Sequence, residues 1–208
     1  MFNLDDFDAA RRIVYEHLQP TLQHNWPILA QELGCDLWLK HENQTPLGAF
    51  KVRGGLVHMR RRKEAGQLNG VITASTGNHG QSIPNAARLE GIKATVVVPK
   101  NNSPEKNAAM RALGANLMEV GEDFIESVAF AKQLAADQGL DMIPSFQPDL
   151  VAGVATYAHE LFTAAGELDV VYVPIGLGSG ICGVMGIRDM LGLKTRVVGV
   201  VSCGFSVT

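Results

Sequence analysis

The sequence predicts an α/β fold built on parallel sheets, and three observations support this fold class. Strand-like apolar runs alternate with helix-like segments over most of the chain after residue 70. The run Ala94–Val98 is apolar or β-branched throughout, as in strands that are covered on both faces of a parallel sheet. A hydrophobic content of 46% with 19% charged residues is typical of a globular protein. Strands that alternate with helices are joined by right-handed crossovers, which makes their sheets parallel.

The first third of the chain is expected to be largely helical. Helical spacing of apolar residues begins at Asp8, and Pro20 ends this helix because proline has no amide hydrogen with which to continue it. The expected elements, in order, are a helix over 8–18, a loop over 21–27, a short helix ending near Gly34, a strand over 37–39 and a helix over 50–64.

The rest of the chain is expected to alternate between strands and helices. Ser103 and Pro104 supply an N-cap and a proline at the first helical position, so one helix begins there and ends at Gly114. The expected strands cover 71–74, 94–98, 117–120, 142–144, 170–175 and 197–201, and further helices lead toward Glu90, run over 150–165 and end at Leu191. The apolar face of the helix after residue 120 is expected to contain Phe124, Ile125, Val128, Ala131 and Ala135.

The bulk properties exclude several classes of function. A net charge of −3 provides no electrostatic footprint for nucleic acid, and three cysteines are an odd number that argues against a disulfide framework. The acidic N-terminus lacks the basic and apolar regions of a signal peptide. The uncharged run over 170–187 contains Pro174 and five glycines, so it predicts a strand, a loop and a helix start rather than a membrane span. We therefore expect a cytoplasmic protein that contacts neither nucleic acid nor membrane.

Lys51 stands at the junction between the predicted strand over 37–39 and the helix over 50–64. Ligands of α/β proteins commonly bind at such junctions. A lone lysine is usually a solvated surface charge, but the neighbours of this one are unusual. Gly54 and Gly55 fall in the first turns of the helix, where each glycine is unfavourable by about 1 kcal/mol. We therefore expect another group to approach the backbone of this helix closely.

The segment 75–81 follows the predicted strand over 71–74 and begins a helix. Its small polar side chains and the free amides of a helix N-terminus suit a carboxylate or a phosphate. A helix cap without any ligand explains this segment equally well on its own. His79 could equally be a packed histidine, because no other His, Cys or acidic residue stands at metal-ligand spacing from it.

The segment 174–183 is a glycine-rich loop between a predicted strand and a helix. Its amides and the helix dipole form an anion cradle, for which phosphate is the favoured occupant. Gly178, Gly180 and Gly183 also match the dinucleotide fingerprint G-x-G-x-x-G. That fingerprint needs an acidic residue after the next strand, whereas Ser202 stands here, so a nicotinamide cofactor is disfavoured.

These three segments together suit one kind of chemistry. A phosphate cradle, a carboxylate nest and a lysine at a strand end are the parts that hold a phosphorylated aldehyde cofactor on the lysine with an amino acid beside it. The lysine must be neutral to react with an aldehyde, and burial in a cleft lowers the pKa of a lysine. Lys51 is therefore the candidate catalytic residue.

Three motifs occur in a fixed order: K-H-E-N-x-x-P-x-G-A-F-K-V-R-G-G over 40–55, S-T-G-N-H-G-Q over 75–81 and G-L-G-S-G over 176–180. Together they resemble the serine/threonine dehydratase group of the fold-type II pyridoxal-phosphate enzymes, within the tryptophan synthase beta-like superfamily. The segments 99–120 and 153–160 also look like that family, so the resemblance covers nearly the whole chain.

The resemblance implies a fold-type II architecture with two three-layer, parallel-sheet domains and pyridoxal 5'-phosphate between them. The large domain would comprise residues 1–65 and 142–208, and the small α/β domain residues 66–141. Lys51 would carry the Schiff base and remove the α-proton of threonine or serine, giving a 2-oxo acid and ammonia. The other implied contacts are Phe50 and Asn78 with the cofactor ring, Gly176, Leu177, Gly178, Ser179 and Gly180 with its phosphate, and Ser75, Thr76, Gly77 and His79 with the substrate carboxylate.

The sequence departs from the family pattern at several points. The phosphate loop reads G-L-G-S where relatives have a run of glycines, and Pro84 falls within the helix after the carboxylate nest. Val201 stands where cation-binding relatives have a glutamate, so we expect no metal. Family members continue past Thr208, so the chain is expected to be C-terminally truncated and its large domain incomplete.

Several alternatives remain open at this point. A serine racemase would need an acid-base residue opposite Lys51, and Thr76 is the local candidate. A hydroxyaspartate dehydratase would use the same scaffold, and a truncated remnant would bind cofactor or merely fold without activity. A β-replacement synthase is disfavoured, because those relatives carry threonine where His79 stands. Relatives commonly dimerise, so a homodimer is possible.

Overall fold

The computed structural model describes residues 2–66 and 69–202. Within them the elements are α1 (Leu4–Tyr15), β1 (Gln23–Asn25), α2 (Pro27–Leu33), β2 (Trp38–Lys40), a 3₁₀ turn (Glu42–Gln44), α3 (Lys51–Glu64), β3 (Val71–Ala74), α4 (Asn78–Glu90), β4 (Ala94–Val98), α5 (Pro104–Ala112), β5 (Ala115–Glu119), α6 (Phe124–Gln138), β6 (Asp141–Met142), α7 (Pro148–Ala165), β7 (Val170–Pro174), α8 (Ser179–Met190) and β8 (Arg196–Val200). Cys203 and the remainder of the expected large domain, to Thr208, lie outside the described residues.

The described strands form three sheets, of which two are parallel. The largest has four strands in the order β5-β4-β3-β6, and every neighbouring pair in it is parallel. Strands β7 and β8 form a second parallel pair, joined through α8. Helices and parallel strands alternate along this part of the chain, as the sequence predicts.

The third sheet corrects the sequence-based expectation that all strands would be parallel. Residues 21–27 were expected to form a loop, but β1 lies there and pairs with β2 in antiparallel fashion. The strand has only three residues, Gln23, His24 and Asn25, and none of them is apolar. Its pairing therefore comes from backbone hydrogen bonds to its neighbour, for which the local sequence provides no apolar signal.

Helix α6 does not bury the whole apolar face that its sequence suggests. Ala131 and Ala135 are buried against the four-stranded sheet, as expected. Phe124 and Ile125 are instead 45% and 78% exposed. Ile125 projects from a different side of the helix than Ala131, and Phe124 is the first residue of the helix. The expected apolar face is therefore wrong at its N-terminal end.

Helix α3 packs closely between two other helices because of its glycines. A Cβ added at Gly54 would lie 2.7 Å from the carbonyl oxygen of Leu150 on α7, and one at Gly55 would lie 2.2 Å from Ser82 Oγ on α4. The close approach that Gly54 and Gly55 predict is therefore an approach of neighbouring helices. It fixes the position of Lys51, the first residue of α3, relative to the starts of α4 and α7.

Pro84 lies in the second turn of α4 and is buried there. A proline at this depth removes the hydrogen bond that its amide would donate to the carbonyl of the residue four positions earlier. The helix continues to Glu90 despite that loss. Burial of Pro84 and its neighbours Ile83 and Ala87 against the core stabilises the helix.

Candidate active site

Lys51 is positioned by a closed loop that precedes α3. The buried Thr45 side chain hydrogen-bonds both the amide and the carbonyl of Ala49, each at 2.9 Å, and Gly48 makes the intervening turn with a φ of +66°. A residue with a side chain is disfavoured at that dihedral angle. The chain then enters α3 at Lys51, with Phe50 as its N-cap residue.

The Lys51 side chain points at the glycine loop. Its Nζ lies 2.7 Å from the Oγ of Ser179, the first residue of α8, and 5.5 Å from the centroid of the Phe50 ring. Burial lowers the pKa of Lys51 from its ordinary value. A lysine with a lowered pKa has more of the neutral amine that attacks carbonyl groups.

The glycine loop turns sharply into α8. Gly178 has a φ of +94° and caps the helix, and Ser179 and Gly180 behind it are buried. A Cβ at Gly180 would lie 3.3 Å from Phe50 Cζ and 3.4 Å from Tyr157 Oη. The first amides of α8 have no acceptor within the helix, so they are available to an anion. Gly176 and Leu177 are exposed, which leaves the mouth of the loop open.

The segment 75–79 makes the start of α4. The buried Ser75 Oγ accepts hydrogen bonds from the amides of Gly77, at 3.3 Å, and Gly80, at 3.0 Å, so this hydroxyl is used within the loop. Thr76 and Asn78 are exposed, and Gly77 is half-buried. Ser75 therefore shapes the turn, while the side chains of Thr76 and Asn78 are free to meet a ligand.

His79 is buried and neutral. Burial, followed by the nearby charge of Lys51, lowers the pKa of His79 from 6.5 to about 3. Its Nε2 is buried and has no hydrogen-bond partner among the described residues. A buried nitrogen without a partner is costly, which is consistent with a role at a site that a ligand completes.

The structure brings most of the expected site residues to one place. Lys51 contacts Ser179 directly, and the Oγ of Ser82 on α4 donates to the carbonyl oxygen of Lys51 at 2.6 Å. That second contact fixes the helix of segment 75–79 to the lysine. Leu177 is 65% exposed and has no such link to the lysine, so it stands apart from the group.

Sequence reasoning missed Tyr157 and Arg53. The Tyr157 hydroxyl donates to the carbonyl oxygen of Gly180 at 3.3 Å, and its ring packs 5.8 Å from that of Phe50. An aromatic residue on a helix usually predicts a core position, so the sequence provides no signal for this contact. The sequence contains one signal for Arg53. This residue lies in the motif over 40–55, and its partner Glu160 lies in the segment 153–160, which resembles the same family.

Arg53 is fully buried within a network of charges behind the lysine. It donates two hydrogen bonds to Glu42 at 2.8 and 2.9 Å and two to Glu160 at 2.6 and 3.0 Å. Lys40 Nζ lies 2.6 Å from Glu160, and the Tyr15 hydroxyl donates to it at 2.8 Å. Burial alone would lower the pKa of Arg53, but the hydrogen bonds to both carboxylates leave it raised. The network ties the start of α3 to the 3₁₀ turn, β2 and α7.

Comparison with known proteins assigns the chain to a family. Residues 14–207 match the family described as pyridoxal-phosphate dependent enzyme. The chain belongs to this family. The match confirms that the motifs identify a pyridoxal-phosphate dependent enzyme family, and it confirms pyridoxal phosphate as the cofactor of that family.

Individual relatives of this chain have been named as an ammonia-lyase, a threonine deaminase and a serine racemase. The chain is 35% identical over 181 residues to the L-threo-3-hydroxyaspartate ammonia-lyase of Saccharomyces cerevisiae, covering 86% of this chain and 55% of that protein. The processed form of threonine deaminase isoform 2 from Solanum lycopersicum matches with a TM-score of 0.86 and 28% identity, over 98% of this chain and 61% of that one. Serine racemase from Dictyostelium discoideum matches with a TM-score of 0.88 and 26% identity, over 97% and 66%.

These matches confirm the fold-type II architecture expected from the motifs. The chain spans about half to two thirds of the length of these three relatives. Among residues 2–66 and 69–202, no helix combines the length and the apolar character required to cross a bilayer.

Proposed function

We propose that this chain carries pyridoxal 5'-phosphate on Lys51 and supports the dehydration and deamination of a β-hydroxy amino acid, threonine or serine. One observation carries the proposal: the Lys51 side chain is half-buried, and its amine lies 2.7 Å from the Oγ of Ser179, the first residue of a helix that follows a glycine loop. This geometry places an amine that is easily deprotonated beside an anion cradle.

The residues around Lys51 fit such a cofactor. The amides of residues 176–180 would hold the phosphate, because the first turn of α8 presents donors without internal acceptors. Phe50 would lie against the ring, and the exposed Asn78 side chain would reach its ring oxygen. When bound, the cofactor supplies an electron sink for the substrate carbon atom that loses its proton.

The start of α4 would hold the substrate carboxylate. Ser75 fixes the turn, and the amides of residues 76–79 and the exposed Thr76 hydroxyl would meet the anion. His79 is neutral, so it would bind by shape and by a hydrogen bond rather than by charge. Lys51 would then take the α-proton through its neutral amine. The β-hydroxyl would take up a proton and leave as water, and a water molecule would later hydrolyse the C–N bond to release ammonia.

The products would be ammonia and a 2-oxo acid: pyruvate from serine and 2-oxobutanoate from threonine. L-threo-3-hydroxyaspartate is a second candidate substrate, because one relative with that activity is 35% identical. The likeness to a serine racemase keeps racemisation as an alternative, for which Thr76 would be the candidate second acid-base residue. We propose that the protein acts in the cytoplasm. Its small domain would comprise residues 66–141, and its assembly would be a homodimer.

A product assay tests this proposal. Chain loaded with pyridoxal phosphate is incubated with L-serine, L-threonine or L-threo-3-hydroxyaspartate, and 2-oxo acid, ammonia and D-serine are measured. We expect 2-oxo acid and ammonia in equal amounts from at least one substrate, and none from Lys51→Ala. D-serine without pyruvate would favour the racemase, and no product from loaded wild-type chain would contradict an enzymatic function.

A further inference from the structure

Ser179 has a side chain at a position in the phosphate loop where the resemblance leads us to expect glycine. Glycine would provide the same backbone amide to a phosphate, so the hydroxyl is not needed for anion binding. Ser179 is nevertheless 1% exposed, and its Oγ lies 2.7 Å from Lys51 Nζ. The hydroxyl is therefore directed at the reactive amine.

We propose that the Ser179 hydroxyl is the partner of the Lys51 amine whenever that amine is not bonded to a cofactor. The catalytic part of this inference rests on the proposed function, in which the Lys51 amine would take the α-proton of the substrate. The contact itself is the hydrogen bond of 2.7 Å between Lys51 Nζ and Ser179 Oγ.

A hydroxyl group suits this task because it can both donate and accept a hydrogen bond. It donates to the neutral amine before Lys51 takes the α-proton, and it accepts from the ammonium group afterwards. The electron pair of the broken C–H bond stays on the substrate, and the proton moves to Nζ. A carboxylate at this position would instead hold the lysine as an ammonium ion.

The surroundings of Lys51 leave this role to Ser179. Burial is the cause of the lowered pKa of Lys51, and the neighbouring titratable groups, His79 on α4 and Tyr157 on α7, are both neutral at pH 7. The Tyr157 hydroxyl is engaged with the carbonyl oxygen of Gly180. Ser179 is therefore the residue that positions the Lys51 amine, through a direct hydrogen bond with Nζ.

The test measures the reactivity of Lys51 in the chain without cofactor. Trace labelling with acetic anhydride at a series of pH values, read by peptide mass spectrometry, gives the pH midpoint at which Lys51 becomes reactive. The variants are Ser179→Ala, Ser179→Gly and Ser179→Thr, and the exposed Lys63 in each sample is the internal control.

We expect the midpoint to fall in Ser179→Ala and Ser179→Gly, because hydrogen bonds to charged groups are stronger than those to neutral ones. Labelling at neutral pH would rise by about fivefold in both variants. Ser179→Thr keeps a hydroxyl and would stay within about twofold of wild type by the same reasoning. A pocket that merely opens would raise labelling at every pH without moving the midpoint. Unchanged midpoints in Ser179→Ala and Ser179→Gly would overturn the proposal.

A second arm separates this proposal from the proposed function. The same chains are mixed with pyridoxal phosphate and reduced with borohydride. Failure of wild-type chain to be labelled on Lys51 would refute the proposed function, yet leave the midpoint result without cofactor intact. Trapping on Lys51 in every variant, with no midpoint shift, would refute the role of Ser179 but would leave the proposed function intact.

Discussion

At the scale of single residues, burial shifts two ionisable groups of the site toward their neutral forms. Lys51 and His79 both have lowered pKa values, and burial is the leading cause in each case. The charge of Lys51 also lowers the pKa of His79. A neutral lysine can act as a nucleophile or a base, and a neutral histidine beside it does not compete for the negative charge of a substrate.

The depressed pKa of His79 predicts how stability depends on pH. Between about 3 and 6.5 the unfolded chain binds a proton at this residue and the folded chain does not, so acid favours unfolding. We expect the free energy of unfolding of wild type to fall, relative to His79→Gln, by up to about 1.4 kcal/mol per pH unit below pH 6.5. Urea unfolding at pH 7, 6 and 5 measures this difference. Parallel pH profiles for the two proteins would show that His79 titrates normally.

At the scale of secondary-structure elements, α3 is the helix that connects the candidate site to the surrounding elements. It packs against α4 and α7 through glycines and carries the candidate catalytic lysine at its first position. Arg53 on the same helix ties the turn before it, β2 and α7 together. Tight packing and buried ion pairs together hold the start of α3 in one place relative to the glycine loop.

The buried network predicts a large and specific loss of stability. Arg53→Met keeps most of the side-chain volume but leaves Glu42 and Glu160 without their buried partner. We expect the free energy of unfolding to fall by about 3–5 kcal/mol. The matched control is Arg11→Met, which breaks an exposed pair with Asp8 and should cost less than about 1 kcal/mol. Similar losses in both variants by urea unfolding would argue against a special role for the network.

The glycine at position 54 gives a second test of the helix packing. Alanine normally stabilises a helix relative to glycine, but a Cβ at Gly54 would lie 2.7 Å from the Leu150 carbonyl oxygen. We expect Gly54→Ala to destabilise the chain by about 1–3 kcal/mol in thermal or urea unfolding. Gly77→Ala is the control, because an added Cβ there meets nothing within 4 Å. A stabilised Gly54→Ala would mean that α3 and α7 are not in close contact.

At the scale of the whole molecule, much of the fold could be predicted because local signals and tertiary structure agree. The strand Ala94–Val98 and the N-cap Ser103 with Pro104 match the sequence-based expectation residue by residue. Strand β1 could not be predicted, because its three polar residues carry no periodic apolar signal. The exposure of Ile125 was missed for a different reason: this residue is apolar, but it projects from a different side of α6 than the buried Ala131.

The candidate site was predictable only where its residues belong to contiguous motifs. Lys51, segment 75–79 and the glycine loop are each continuous in sequence, so their chemistry could be inferred before their positions were known. Arg53 and Glu42 share the motif over 40–55, but Glu160 lies 107 positions from Arg53, and the contacts of Glu160 and Tyr157 arise from helix packing. The hydrogen bond between Lys51 and Ser179 joins residues 128 positions apart, and motif spacing does not reveal such a contact.

The measurement that tests the cofactor site most directly is covalent trapping. The chain is mixed with pyridoxal phosphate, its visible spectrum is recorded, and borohydride reduction is followed by peptide mapping. We predict a visible band that borohydride abolishes and a label on the peptide that contains Lys51. The band and label should be lost in Lys51→Ala and kept in Lys63→Ala, whose lysine is exposed on the same helix. No band, or a label spread over surface lysines, would contradict the assignment of Lys51 as the residue that carries the cofactor.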